Sequence, residues 1–358
     1  MRRGLMRWDV HELPKGALLE RIARLRGAMA AAGLDAFLLY TNLAQPSAVT
    51  FLTSFTPYWS DGLLLVCTSG APVFATALSK RVAGWIAATN PVSEIVTTAR
   101  PGAAVGQRLA ERCRRVGVLE LDRLPGGLYE EIMGAAPAVE LIDGSAVFAQ
   151  ARRHIDAAER ALIVRADAIA RAALTEIDAG PAAEGGALAG LVEKHARLAG
   201  AEEAYIAVAP DLDRDRRMLR VSRPLPLGQR FALRASVAYK GSWVRRIRTF
   251  ARDAAVQQTI ERIDIWFNSV LASLNAGRPL ADELATRIGS LPDAKLISFM
   301  AESTIGSYPL EIIASSRSSD RDSPASGSFL VLTLELGLDG VRWLGAGSAF
   351  VGTVPRTR

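Results

Sequence analysis

Ala151-Arg152-Arg153-His154-Ile155-Asp156-Ala157-Ala158-Glu159 is the stretch at which the pattern of the chain changes. Asp156 and Glu159 have the spacing of a capping box, in which two side chains bind backbone N–H groups at the start of a helix. The helix predicted after them has one apolar face, formed by Leu162, Ala166, Ile169, Ala173 and Ile177. We therefore predict two domains, at residues 1–150 and 151–358, as the length of the chain also suggests.

The residues before this stretch alternate between helix and strand patterns. A helix is predicted at 15–32 and a buried strand at 34–40. Further strands are predicted at 62–67, 72–76, 94–98 and 116–121, with helices between them near 79–88, 105–113 and 127–133. This alternation predicts an α/β domain whose sheet is mostly buried.

The residues after this stretch repeat one order of elements. Helices are predicted up to 177 and at 184–198, then again at 256–274 and 281–288, with strands at 295–300 and 329–334. Two such helix–turn–helix–strand halves predict an internally duplicated, pseudo-symmetric α+β domain. The Ser-rich residues 315–328 predict a loop between strands, either a lid or a plain solvent loop.

The charge pattern argues against a nucleic-acid partner. The net charge is +6, and five of the 43 basic residues are lysines, which leaves 43 − 5 = 38 arginines. Most arginines alternate with acidic residues, as in Glu20-Arg21-Ile22-Ala23-Arg24. This alternation is typical of solvated helix faces and not of a surface that follows phosphates.

Neither a membrane segment nor a disulfide is predicted. The sequence has no run of 18 apolar residues, and its basic start lacks the apolar stretch of a signal peptide. We therefore expect a cytoplasmic protein without membrane contact. Cys67 and Cys113 lack the CxxC spacing and are predicted to be reduced core thiols.

Short stretches spread over nearly the whole chain carry a resemblance to a known family. They are Arg21–Arg26, Gly33–Ala36, Ala151–Glu159, Gly228, Tyr239, Gly241, Arg248-Thr249-Phe250, Glu335-Leu336-Gly337 and Gly340-Val341-Arg342. In order and spacing they resemble the creatinase/aminopeptidase P/prolidase family. The resemblance implies a creatinase-type α/β domain followed by a pseudo-symmetric pita-bread domain, and a homodimer.

Metal-binding members of that family hold two divalent ions with two Asp, one His and two Glu. The resemblance places the two Asp at Arg234 and Arg245, the His at Ser303, and the two Glu at Glu335 and Leu344. A guanidinium stays protonated in proteins, so it repels a dication. The resemblance therefore implies a divergent member without the metal centre, and we expect neither a metal nor another cofactor.

The metal-free branch of the family, creatinase, works with a histidine base. The three histidines, His11, His154 and His195, are each predicted to be structural or solvated. The position of the family's second pocket histidine falls near Leu310. The sequence thus lacks the residues of both known catalytic types.

An anion site in place of the metals is one prediction. Two guanidiniums, Arg234 and Arg245, beside the single carboxylate of Glu335 would require a further anion, and arginine binds carboxylate or phosphate in bidentate geometry. The alternative is a closed salt-bridge network in which Glu335 pairs with one of these arginines. Further substrate-binding candidates are Arg248, Arg217 (or Arg216), Ser303 and Tyr308.

Two functions remain open at this point. One is a metal-independent enzyme for a small anionic, amino-acid-derived substrate, by C–N hydrolysis, elimination or cyclisation. Its candidate acids and bases are Glu335, Glu311 and Tyr239, with Glu302 as a further candidate. The other is a non-catalytic binding module that keeps the fold for a peptide or protein partner.

Overall fold

A computed structural model describes residues 8–57, 59–177, 180, 183–221, 223–317 and 324–352. The chain forms two compact units. The N-terminal unit contains the residues up to Ala161 and a returning segment, Thr304–Glu311. The C-terminal unit contains Leu162–Ser303 and the residues from Ile312 onward. Residues 318–323 of the predicted loop lie outside the described residues.

The N-terminal unit is the predicted α/β fold. Its helices are α1 (Lys15–Ala31), α2 (Ser47–Thr53), α3 (Ala83–Thr89), α4 (Pro101–Arg112), α5 (Gly126–Ala135) and α6 (Ser145–Arg152). Its strands are β1 (Ala36–Thr41), β2 (Gly62–Cys67), β3 (Val73–Thr76), β4 (Glu94–Thr97), β5 (Arg115–Val118) and β6 (Glu140–Asp143). The strands form one mixed sheet in the order β4-β3-β2-β1-β5-β6. Both sheet faces are buried, because Phe37 and Leu39 of β1 enter one apolar cluster and Leu38 enters another.

The helix predicted at the domain boundary is present, and it begins as the sequence indicates. Helix α7 (Ala157–Thr175) starts after Asp156, whose Oδ1 accepts a hydrogen bond from the Glu159 N–H at 2.9 Å. Only this half of the capping box forms. The Glu159 carboxylate instead pairs with Arg152, and both side chains are buried.

The C-terminal unit is built from two similar halves, as predicted. The first has α7, α8 (Gly185–Leu198), β7 (Glu203–Ala209), β8 (Arg230–Tyr239) and β9 (Ser242–Ala251). The second has α9 (Ala254–Ala272), α10 (Leu280–Ile288), β10 (Lys295–Ser303), β11 (Glu311–Ser315), β12 (Phe329–Leu338) and β13 (Val341–Phe350). Each half contains a hairpin of two ten-residue strands. The tight turns of these hairpins are Lys240-Gly241 and Asp339-Gly340, and all four residues have positive φ.

The strands of both halves join in one sheet, in the order β11-β10-β12-β13-β9-β8-β7. One face packs on the helices: Trp343 of β13 donates to Asp264 of α9, and Arg246 of β9 pairs with Asp167 of α7. The opposite face is called the polar face below. Five residues form one row across it, in the order Met300, Thr333, Ala346, Ile247 and Arg234.

Two further expectations concern the membrane and the cysteines. No helix in the described ranges is long and apolar enough to cross a membrane. Cys67 and Cys113 are both free, with Cys113 buried and Cys67 partly buried, and their thiols are hydrogen-bonded to each other. Burial raises the pKa of both, that of Cys113 to about 11.

Candidate functional site

Glu335 is the centre of the first charged cluster on the polar face. Its side chain is 2% exposed, and both of its oxygens accept hydrogen bonds. Oε2 binds Arg216 Nη1 at 2.7 Å and Ser298 Oγ at 2.9 Å, and Oε1 binds Arg342 Nε at 2.7 Å. Two guanidiniums thus share one carboxylate, which leaves an excess of one positive charge.

The second cluster joins two distant strands. Arg245 of β9 donates to Glu302 of β10, and its Nε also lies 3.3 Å from Ser236 Oγ. Two strands, β13 and β12, lie between β9 and β10. On a flat sheet three strand spacings would separate the two backbones by about 14 Å. The contact therefore shows that the sheet curves towards the polar face and draws its side chains together.

Arg234 lies beside this second cluster without a partner. Among the described residues it makes no hydrogen bond or ion pair, and its Nε is buried. Burial lowers the pKa of this guanidinium, and repulsion from Arg245 lowers it further, while Glu302 acts in the opposite direction. An unpaired, half-buried cation is costly unless an anion joins it.

Two hydroxyl groups of the polar face, Thr333 Oγ1 and Ser348 Oγ, are also buried. Neither has a hydrogen-bond partner within the part of the chain that the structure describes. Thr333 belongs to the same row as Arg234, and Ser348 lies one row further along β13. Because buried polar groups are nearly always satisfied in folded proteins, three unsatisfied groups on one face indicate a ligand site.

Three of the predicted site residues lie on the face of the sheet opposite to Arg234 and Arg245. Side chains alternate along a strand, so Arg248 points away from Arg245, Tyr239 away from Arg234, and Ser303 away from Glu302. Arg248 donates to the Leu174 carbonyl of α7 and, with Phe250, lines a separate cavity of about 350 Å³.

Ser303 and Tyr239 also make their contacts on the side of the sheet opposite to the polar face. Ser303 Oγ donates to the Phe329 carbonyl at 2.6 Å, and the ring of Tyr239 lies 5.9 Å from the Arg165 guanidinium. These contacts place Arg248, Tyr239 and Ser303 outside the polar face.

The remaining candidates have separate surroundings. Arg217 is exposed and pairs with Asp215, whereas its neighbour Arg216 reaches Glu335. Glu311 and Tyr308 belong to the N-terminal unit, where the Glu311 carboxylate accepts from the Tyr308 N–H at 3.1 Å.

Burial is the main cause that raises the pKa of Glu311, and the nearby Glu120 carboxylate adds to it. The ring of Tyr308 lies 4.8 Å from the Arg123 guanidinium. Both candidates therefore belong to a group of charged residues around Glu120 in the N-terminal unit.

Glu335 pairs with partners other than those expected. The closed network predicted with Arg234 or Arg245 is formed instead with Arg216 and Arg342. The sequence contained a signal for Arg342, because the Asp339-Gly340 turn sets Glu335 opposite Leu344 and therefore diagonal to Arg342 on the same face.

The donors on the polar face do not fit a dinuclear metal centre. The carboxylates of the two clusters, Glu302 and Glu335, are both bound by arginine, and Arg234 and Arg245 add positive charge. No group of three or more His, Cys, Asp or Glu residues that could hold a metal ion occurs in the described ranges. We therefore assign no step to a metal.

The comparisons with known proteins identify the fold. Residues 21–154 match the family model of the Creatinase/Prolidase N-terminal domain. A search of curated proteins found no match. The prolidase of Pyrococcus horikoshii has a TM-score of 0.69 at 15% identity, over 93% of this chain and 95% of that chain.

Two further solved structures are similar. The X-Pro aminopeptidase of Thermotoga maritima has a TM-score of 0.69 at 16% identity, over 92% of this chain and 99% of that chain. The Xaa-Pro dipeptidase of Bacillus anthracis has a TM-score of 0.65 at 17% identity, over 93% and 95%. These likenesses confirm the predicted fold, a creatinase-type N-terminal domain followed by a pita-bread domain.

Proposed function

We propose that the polar face binds a small anionic, amino-acid-derived molecule, and that the chain is a metal-independent enzyme of the creatinase/aminopeptidase P type. Arg234 carries this proposal, because its guanidinium is half-buried, is repelled by Arg245 and makes no ion pair among the described residues. A carboxylate would supply the missing charge through the bidentate geometry that arginine favours.

The charge of the residues around Arg234 and Glu335 supports an anion. Six residues of the two clusters and Arg234 contribute 4 − 2 = +2 charges, and they are Arg216, Arg234, Arg245, Arg342, Glu302 and Glu335. A concave surface of one sign raises the local concentration of ligands with the opposite sign. The same charge disfavours the divalent cations that the similar peptidase fold would otherwise suggest.

Glu302 is the best candidate for a proton acceptor in this reaction. Its carboxylate is held by Arg245, next to Arg234. A ligand carboxylate that competes for Arg245 would release Glu302 beside the bound molecule. A freed, desolvated carboxylate is suited to general-base catalysis of C–N hydrolysis, elimination or cyclisation.

A non-catalytic binding module is the second candidate. It is favoured by the state of the two carboxylates, Glu302 and Glu335, each of which is bound by at least one arginine. Without release of one of them, neither carboxylate is available as a proton acceptor. The two candidates share the anion site and differ in turnover.

Thermal unfolding with a panel of carboxylates and phosphate, at constant ionic strength, tests the anion site. We expect at least one anion to stabilise the wild type and to have no effect on Arg234→Gln. The matched control is Arg214→Gln, which removes the same charge from a side chain that is 87% exposed. Equal stabilisation of both variants would count against the site.

Turnover of the stabilising ligand, followed by mass spectrometry, separates an enzyme from a binding module. We expect the protein to change the mass of the ligand, and to do so at the same rate when a metal chelator is present. Stoichiometric bound metal together with hydrolysis of X-Pro dipeptides would contradict both candidates.

A further inference from the structure

We infer that the outer edge of β7 binds the C-terminal end of an extended peptide. The peptide backbone adds a strand to the sheet there, and its terminal carboxylate meets Arg220 and Arg223. This site is separate from the polar face, because the edge residues Ala204 and Ile206 point their side chains to the opposite side of the sheet. It does not depend on the function proposed for that face.

The outer edge of β7 carries backbone groups that have no partner. β7 is the last strand of the seven-stranded sheet, and Val208 is paired on its outer edge with Leu219, each N–H donating to the other's carbonyl at 2.8 Å. Backbone groups alternate between the two edges of a strand, so those of Ala204 and Ile206 also face outward. Among the described residues nothing bonds to these two N–H and two C=O groups. Both residues are buried, and buried backbone groups are nearly always paired in folded proteins.

A cavity of about 480 Å³ lies where this pairing stops. Val221 follows Leu219 by two positions, so a continued ladder would set it opposite Ile206. The two residues are not paired, and both line the cavity instead. The cavity therefore takes the place of a neighbouring strand, and its volume is in the range of small-ligand sites.

Small residues of α8 leave room for the side chains of an added strand. They are Gly186, Ala187, Ala189 and Gly190, which all line the cavity. A Cβ added at Gly190 would have no atom within 4 Å, so the space beside this part of the helix is open. Because every second side chain of a strand points to the same side of the sheet, apolar side chains of moderate size fit beside these residues.

Two arginines select a carboxylate for the end of this peptide. The charged residues that line the cavity are Glu184, Glu193, Arg220 and Arg223. Their charges sum to zero, but both glutamates are engaged: Glu184 accepts from three backbone N–H groups, and Glu193 pairs with Arg197. Arg220 and Arg223 are exposed and form no ion pair in the described ranges. A terminal carboxylate binds them without displacing an acidic side chain.

Calorimetric titration of the full chain with acetyl-Ala-Val-Ala-Val tests the role of the arginines. We expect the peptide with a free C-terminal carboxylate to bind at least tenfold more tightly than its C-terminal amide. The double variant Arg220→Gln/Arg223→Gln should bind the acid no more tightly than the amide. The matched control is Arg214→Gln/Arg217→Gln, which removes two charges from side chains that are 87% and 82% exposed.

Methylation of the peptide nitrogens tests whether its backbone joins the sheet. In a strand added to β7, alternate N–H groups face the sheet and the ones between them face outward. A methyl group on each of two successive nitrogens, tested one at a time, should therefore have different effects. We expect one methyl group to weaken binding at least tenfold and the other to change it by less than twofold.

Gly190→Met tests whether the peptide occupies the cavity. The new side chain enters open space, and methionine is a better helix former than glycine, so α8 should be kept. We expect peptide binding to weaken at least tenfold in Gly190→Met and to change by less than twofold in Gly190→Ala. Arg234→Gln should leave peptide binding unchanged, so this site and the polar face are tested separately.

Three outcomes would overturn the inference. Backbone groups and the carboxylate carry the binding, so it tolerates different sequences, and no binding of this peptide at millimolar concentration contradicts it. Equal binding of acid and amide, or equal effects of the two methyl groups, contradicts it as well. A change of oligomeric state in Gly190→Met, measured by analytical ultracentrifugation, would assign the edge to a second copy of the chain.

Discussion

Arg245 and Glu302 form an ion pair across two intervening strands, and Arg234 lies beside this pair without an anion of its own. The three residues come from β8, β9 and β10, so the pair depends on the curvature of the whole sheet. The Glu302 carboxylate is thus the counter-charge of Arg245 and also lies near Arg234. The predictions below follow from this imbalance.

Replacement of Arg234 by methionine should stabilise the protein in the absence of ligand. Methionine keeps an unbranched apolar stem and removes a half-buried charge that Arg245 repels. Relief of an unsatisfied buried group is worth about 1 kcal/mol. A gain of this size raises the melting temperature of a unit of this length by roughly 2–4 °C.

Thermal unfolding in a buffer without carboxylates measures this effect, with Arg214→Met as the control for loss of one exposed charge. A lower melting temperature for Arg234→Met would mean that Arg234 already has a stabilising partner.

Glu335→Gln should destabilise the C-terminal unit. The substitution leaves Arg216 and Arg342, which are 39% and 34% exposed, without their shared carboxylate. Because both arginines keep contact with solvent, we expect a cost of about 2 kcal/mol, below the roughly 3 kcal/mol for removal of one partner from a fully buried pair. Urea unfolding gives the change, and Glu193→Gln, which breaks an exposed pair with Arg197, should cost less than about 1 kcal/mol.

A similar small loss in both variants would show that the cluster around Glu335 contributes no more than a surface pair.

The fold could be predicted from the sequence where the patterns are long. Helices α1, α7, α8 and α9 begin or end close to their predicted bounds, because each has a continuous apolar face. The short elements α2, α6 and β6 gave no such pattern. Strands β7, β8, β9 and β13 were missed as well, since arginine and small residues interrupt their apolar alternation.

The site was predicted only in part. Alternation along β9 alone could have separated Arg245 from Arg248, which are three positions apart and so lie on opposite faces. The partners of the arginines could not be deduced in this way. Which carboxylate Arg245 reaches depends on the curvature of the sheet, and Arg216 reaches Glu335 from outside the sheet strands.

Glu311→Gln should make the N-terminal unit less sensitive to pH. Burial raises the pKa of Glu311 above its ordinary value of 4.5, so ionisation is more costly in the folded than in the unfolded state. The contribution of the wild-type carboxyl is complete below about pH 4.5 and is lost as the pH rises through the folded pKa.

We therefore expect Glu311→Gln to be more stable than the wild type at pH 7 and to lose this advantage at pH 4, as measured by denaturant unfolding at both values. Glu140→Gln, at an exposed position of the same unit, is the control. An advantage that does not change with pH would contradict the raised pKa.

Glu302→Gln should bind anions more tightly and turn them over less. In the wild type the Glu302 carboxylate competes with the ligand for Arg245, and its charge also acts on Arg234. Its removal should raise carboxylate affinity by about tenfold, which corresponds to about 1.4 kcal/mol. If Glu302 is also the base that ligand binding releases, kcat should fall by about a hundredfold or more while KM falls as well.

Calorimetry and turnover assays on the same preparation separate the two effects, with Glu193→Gln as the matched control. Tighter binding with unchanged turnover would assign proton transfer to another group. Weaker binding would instead mean that Glu302 contacts the ligand directly, and the ion pair with Arg245 would then be part of the binding site and not a competitor for it.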